Sequence, residues 1–325
     1  MSETLQMRVH GDRSLPVLVY LPGLHGDWTL KVPFRRALAG RACLVEFMYP
    51  RTFEWSLADY AGAVQKALAD AGIHAGWILA ESFGSQIAWA ILGTKQDFTP
   101  LGIFLLGGFA RYPWLWAVRM VRWFASHLPR FLVQAAFRAY ASAMRFRHRG
   151  DSEALASIDD FLARRTREDA AAMWRRLDLI LAADFAPAAR HATIPVWYLS
   201  GLWDFVVPWP LVRGWLRRDC AALRADRVVR KADHNVLATA PETSAEQIMK
   251  WLEAELAVGN LRAGQQNAAE RNDRPNGKPE ENKSRTRKAS SPRLLAGRAP
   301  NRPSQLSATT HFRAPTAIQL KLWPF

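Results

Sequence analysis

The sequence predicts an α/β fold: a mostly parallel sheet flanked by helices, with an inserted all-helical cap and a disordered basic C-terminal tail. Three observations predict it. Short apolar runs alternate with segments of helical periodicity, that alternation stops between residues 111 and 191, and apolar periodicity disappears after residue 257.

Taken in order, "PVLVYLPG" (16–23) reads as a buried strand, "WTLKVPFRRALAG" as a helix ending at Gly40, and "ACLVEFMYP" (42–50) as the next strand. In "SLADYAGAVQKALADAG", Leu57, Tyr60, Ala61, Val64, Ala67 and Leu68 recur at helical spacing behind Ser56, a suitable N-cap. "GWILAES" is a strand and "SFGSQIAWAILG" a helix; "LGIFLLGG" (101–108), "IPVWYLSG" (194–201) and "DRVVRKA" (226–232) are further strands, and "TSAEQIMKWLEAELA" closes as a helix. Residues 1–110 and 192–257 thus form one core, with 111–191 inserted as the cap. In the cap, Trp116, Met120, Trp123, Phe124 and Leu128 share one helical stripe, and Arg119, Arg122, Ser126 and Arg130 share another face. Such a helix either packs its stripe over a pocket or lies in a membrane surface.

Composition narrows the function classes. Of 325 residues 49% are hydrophobic and 22% charged, as in a soluble globular protein, while 14 Trp exceed ordinary usage and point to a large apolar pocket or an interface. Cys43 and Cys220 lack CxxC or metal-ligand spacing, so neither a disulfide framework nor a zinc site is indicated, which favours a reducing compartment. "MSETLQMRVHGD" has neither the charged nor the apolar region of an export signal, and no stretch approaches ~18 uncharged apolar residues. A cytoplasmic location is expected. No HExxH, Walker lysine motif or strand-bound GxGxxG occurs, so no metal or organic cofactor is implied. The net charge of +15 sits mainly in residues 258–325, which hold 13 Lys+Arg against 4 Asp+Glu. That tail is rich in Asn, Pro, Arg and Ser, a composition for disorder and for weak, non-specific contact with anionic membranes or nucleic acid. No obligate protein partner is indicated.

The chemistry lies in "AESFG" (80–84), which follows the G-x-S-x-G pattern of a sharp strand-to-helix turn with Ala80 in place of the first glycine. Small residues suit that turn because the helix crosses back against the sheet. A serine held there needs a base to take its proton and an acid to orient the base. "LSGLWDFVVP" places Asp204, and "VRKADHNVL" places His234, just past successive strands, in the order Ser, acid, His. His10, His74, His127, His148, His191 and His311 read as surface or packing residues. An oxyanion needs two backbone donors. The Phe83 N–H would supply one and the Leu24 N–H the other, in a loop with Gly23, His25 and Gly26; an alternative register makes Asp27 the donor. His25 reads as an ordinary loop residue or as a supporting hydrogen-bonder.

In order and approximate spacing, "LPGLHGD", "YP" (49–50), "LAESFGSQIA", "LSGLWDFVVP" and "ADHNVL" resemble the α/β-hydrolase superfamily, specifically bacterial serine hydrolases with PGLxG and ESFxG motifs, over about residues 5–257. "PG" stands where many members have "HG". The resemblance implies an esterase- or lipase-like acyl-serine mechanism: Ser82 attacks, His234 shuttles the proton and Asp204 orients the imidazole. A serine nucleophile disfavours the dehalogenase and epoxide hydrolase branches. Trp114, Trp116, Trp123, Phe124, Phe131 and Trp174 in the cap would favour an apolar ester or thioester. Acyl transfer or C–C hydrolysis would reuse the same residues, and a non-catalytic membrane- or nucleic-acid-binding module is the alternative of another class.

Overall fold

A computed structural model of the chain describes residues 4–94, 98–127, 130–164 and 166–272. Its sheet has seven strands: β1 (Gln6–His10), β2 (Val17–Leu21), β3 (Cys43–Met48), β4 (Ala75–Glu81), β5 (Thr99–Leu106), β6 (Val196–Trp203) and β7 (Leu223–Asp233), in the order β1-β3-β2-β4-β5-β6-β7. β1 pairs antiparallel with β3 and every other pairing is parallel. Side chains alternate across a strand, so neighbouring residues feed opposite layers. Val19, Val45, Ile78, Ile103 and Tyr198 enter one core with α2 (Leu57–Asp70) and α3 (Gly84–Leu92). Leu18, Leu44, Leu79, Phe104 and Trp197 enter the other with α1 (Val32–Leu38) and α11 (Pro241–Asn272). Burial on both faces is why these strands read as continuous apolar runs.

Between β5 and β6 run α4 (Leu115–His127), α5 (Arg130–Arg147), α6 (Ser152–Ala163), α7 (Arg167–Ala182) and α8 (Ala186–Arg190). Thr166 caps α7 in a reciprocal box with Asp169, as Ser56 caps α2 with Asp59. α9 (Trp209–Asp219) joins β6 to β7 and the short α10 (Val236–Thr239) follows β7.

Several elements differ from the sequence reading. β1 was not expected, because an edge strand with half-exposed residues carries little apolar alternation. α9 was missed for a related reason, since only Val212 and Leu216 are buried. α1 starts at Val32, not Trp28: Asp27 accepts the Thr29 N–H in a turn, and Leu30 sits at φ 67°, outside helical space. α11 continues to Asn272, so the expected tail boundary after residue 257 cuts through a helix; residues 273–325 lie outside the described residues. The α4 stripe also faces differently from the pocket-covering reading. Val118 is buried, whereas Trp116, Met120 and Trp123 are exposed, as are Trp114 and Phe131. Of the aromatics expected to line a pocket, Trp174 alone packs against the core among those whose side chains are described.

Candidate active site

β4 ends at Glu81 and α3 begins at Gly84, leaving Ser82 at φ 50° in the turn between them. A side-chain-bearing residue in this left-handed region costs about 1–2 kcal/mol, so the surroundings must enforce it. They do so through hydrogen bonds: the Ser82 N–H donates to the Leu106 carbonyl (3.1 Å), and the Ser82 carbonyl accepts from the Ser85 N–H (3.0 Å). A Cβ on Gly84 would stand 2.3 Å from the Leu21 carbonyl oxygen, so only glycine lets α3 cross β2 this closely. Ala80 is fully buried and fits where the pattern usually has glycine.

Asp204 follows β6 and His234 follows β7. Their Oδ2 and Nδ1 atoms are 2.9 Å apart. Oδ1 of Asp204 accepts from the Val206 and Val207 N–H groups at 3.0 and 2.8 Å, which fixes the carboxylate in a buried position. Burial disfavours the charged imidazole, but the hydrogen bond and charge of Asp204, with the charges of Glu81 and Asp233, outweigh it and raise the His234 pKa above its ordinary value. With Nδ1 turned to Asp204, Nε2 is left for proton transfer. Ser82 and His234 flank a single peptide: Leu106 accepts from Ser82, and an added Cβ on Gly107 would lie 3.2 Å from both His234 Nδ1 and Asp204 Oδ2. Among the described residues no hydrogen bond joins the Ser82 hydroxyl to His234.

Every carbonyl in the loop from Pro22 to Gly26 is turned to a donor. Tyr49 Oη donates to Pro22 (3.1 Å), the Gly26 N–H to Gly23 (2.9 Å), Arg176 Nη1 to Leu24 (2.9 Å) and His25 (3.0 Å), and the Tyr49 N–H to Gly26 (2.8 Å). Carbonyl and N–H point opposite ways across a trans peptide, so turning the Gly23 carbonyl inward aims the Leu24 N–H outward. A Cβ on Gly23 would be 3.4 Å from Ser82 Cβ, which sets this peptide beside the serine. No backbone acceptor takes the Leu24 or the Phe83 N–H among the described residues. The His25 ring packs edge-on against Phe161 of α6, with centroids 5.4 Å apart. Asp27 uses its side chain to hold Thr29.

Sequence reasoning missed three supports. Glu81, directly before the serine, pairs with Lys31 Nζ at 2.7 Å and accepts from Tyr20 Oη at 3.1 Å, with both charged side chains almost fully buried. Charged residues inside otherwise apolar segments were the available signal. Gly107, at φ 56°, underlies the Asp204–His234 pair, hinted at only by the paired glycines ending β5. Arg176 is 2% exposed and had no signal, because its partners are three backbone carbonyls and the Tyr60 hydroxyl, all distant in the chain.

No protein-family model matches the chain, and no curated protein matches it in sequence. Solved structures resemble it in fold. The enol-lactonase from Burkholderia xenovorans LB400 matches with a TM-score of 0.56 and 19% identity over 77% of this chain and 96% of that one. An esterase from Exiguobacterium antarcticum matches at 0.61 and 12%, over 77% and 95%. MGS-M2, an alpha/beta hydrolase enzyme from a Medee basin deep-sea metagenome library, matches at 0.57 and 13%, over 77% and 94%. The fold is therefore that of the α/β-hydrolases.

Proposed function

We propose that the chain is a serine hydrolase that cleaves an ester or thioester of an apolar small molecule through an acyl-serine intermediate. The observation that carries this reading is Ser82 held at φ 50° beside the Leu106–Gly107 peptide, against which the Asp204–His234 pair is packed. Similarity in fold to an esterase and an enol-lactonase supports it.

In the proposed reaction Ser82 Oγ attacks the carbonyl carbon while His234 Nε2 takes its proton, and Asp204 stabilises the imidazolium. The negative charge that develops on the carbonyl oxygen is met by the Leu24 and Phe83 N–H groups. Collapse of the intermediate breaks the bond to the alcohol or thiol, which leaves with the proton from His234. A water then attacks the acyl carbon with His234 as base, releasing the acid and restoring Ser82. The apolar preference rests on Trp203, Phe205 and Val206, which flank Asp204 and are exposed.

The test is covalent labelling by a fluorophosphonate, together with turnover of a series of p-nitrophenyl esters. Wild type should label and hydrolyse; Ser82→Ala should do neither while melting as wild type does, with kcat lowered by about 10⁴- to 10⁶-fold. Ester hydrolysis unchanged in Ser82→Ala would sink the mechanism.

A further inference from the structure

The segment "RYPWLWAVRMVRWFASHLPRFLVQAAFRAYASAMRFRHRG" (111–150) holds eight arginines and not one Asp or Glu. It forms α4 and α5. On α4, Trp116, Met120 and Trp123 stand on one stripe at helical spacing and are 60%, 47% and 57% exposed. Arg119, also exposed, borders that stripe, and no carboxylate among the described residues pairs with it, whereas Arg122 of the same helix pairs with Asp178 at 3.0 Å. On α5, Phe131 and Phe146 are exposed, and Arg149 lies over the Phe146 ring.

The start of the cap is tied to the rim of the candidate active site. Trp114 and Trp116 have ring centroids 6.4 Å apart. Trp116 and Leu211 line one groove with Arg111, Arg190 and Arg218, where Asp184 pairs with Arg111 and Asp219 pairs with Arg190 and Arg218. Tyr112 Oη donates to the Val206 carbonyl, joining the start of the cap to the exposed Trp203–Phe205–Val206 rim around Asp204. Exposed Trp, Phe and Met cost free energy in water, and arginine between them suits a surface that is apolar inside and anionic at its face. No helix among the described residues is long and apolar enough to cross a membrane.

We propose that α4, with the 202–206 rim, docks this protein peripherally on an anionic lipid bilayer, with the aromatic stripe in the headgroup and acyl boundary and Arg119 beside it against lipid phosphates. Docking in this way turns the rim beside Asp204 and His234 toward the bilayer. The proposal concerns binding and stands independently of the hydrolase reading.

The test is co-sedimentation of the full chain with vesicles of phosphatidylcholine alone or mixed with phosphatidylglycerol, comparing wild type with Trp116→Gln/Met120→Gln/Trp123→Gln. Both proteins keep all basic residues, including those beyond Asn272, so any purely electrostatic binding is common to both. Wild type should bind mixed vesicles about tenfold more tightly than neutral ones, and the triple variant should lose about tenfold. At about 1 M salt, where the Debye length falls to ~3 Å, wild type should keep a residual binding that the variant lacks. Because all three side chains are exposed, the melting temperature should not change. Equal vesicle binding by the two proteins overturns the proposal. So does failure of wild type to bind mixed vesicles, and so does binding to single-stranded RNA in place of vesicles.

Discussion

Arg176, on helix α7 of the cap, donates from Nη1 to the Leu24 carbonyl at 2.9 Å. The same guanidinium reaches His25 and Pro50, and it approaches Tyr49 with its carbon 5.4 Å from the ring centroid. One buried cation from the cap therefore shapes the loop that presents the proposed oxyanion donor. Arg176→Met should leave buried carbonyls without a donor and cost about 3 kcal/mol, read by chemical denaturation. It should lower kcat more than it raises KM, because the proposed oxyanion contact strengthens in the transition state. Arg176→Lys should recover little, since an ammonium cannot fork to several carbonyls. Wild-type kcat in Arg176→Met would remove the link from cap to loop.

Gly107→Ala should damage the site with limited effect on the fold. Its Cβ would press on both Asp204 and His234 at 3.2 Å, at φ 56°. A stability loss of about 1–2 kcal/mol is expected from the backbone conformation, together with a fall of about tenfold or more in kcat from the displaced pair. Equilibrium unfolding and steady-state kinetics on one sample separate the two effects.

The pH profile follows from the raised pKa of His234. The proposed base works as neutral imidazole, so kcat/KM should fall as pH drops through that pKa, with the midpoint above the ordinary 6.5. A midpoint below 6.5 would contradict the dominance of the neighbouring carboxylates over burial.

Lys31 and Glu81 should behave as a unit. Lys31→Met alone strands a buried carboxylate and should cost about 3–5 kcal/mol, whereas Lys31→Met/Glu81→Gln should restore much of the loss. Removing the Glu81 charge should also move the acid limb of the pH profile down, because that charge helps hold the His234 proton. Additive stability losses in the double variant would show that the pair is not coupled.

The sequence by itself determined which segments form the strands of the parallel core, the strand-to-helix turn at Ser82 and the positions of Asp204 and His234 just past strand ends. Each is written locally: burial on both faces makes a strand continuously apolar, a sharp turn demands small residues such as Gly84, and the proposed catalytic side chains follow strand ends. Tertiary structure alone decided what braces these residues. Arg176 meets Leu24 across 152 positions, and Gly107 matters because two later loops close over it. It also decided the outward face of α4, since a helical stripe at 3.6-residue spacing reads the same whether it covers a pocket or faces the surroundings. Local pattern specifies which residues share a face; only packing against the rest of the chain specifies what that face meets.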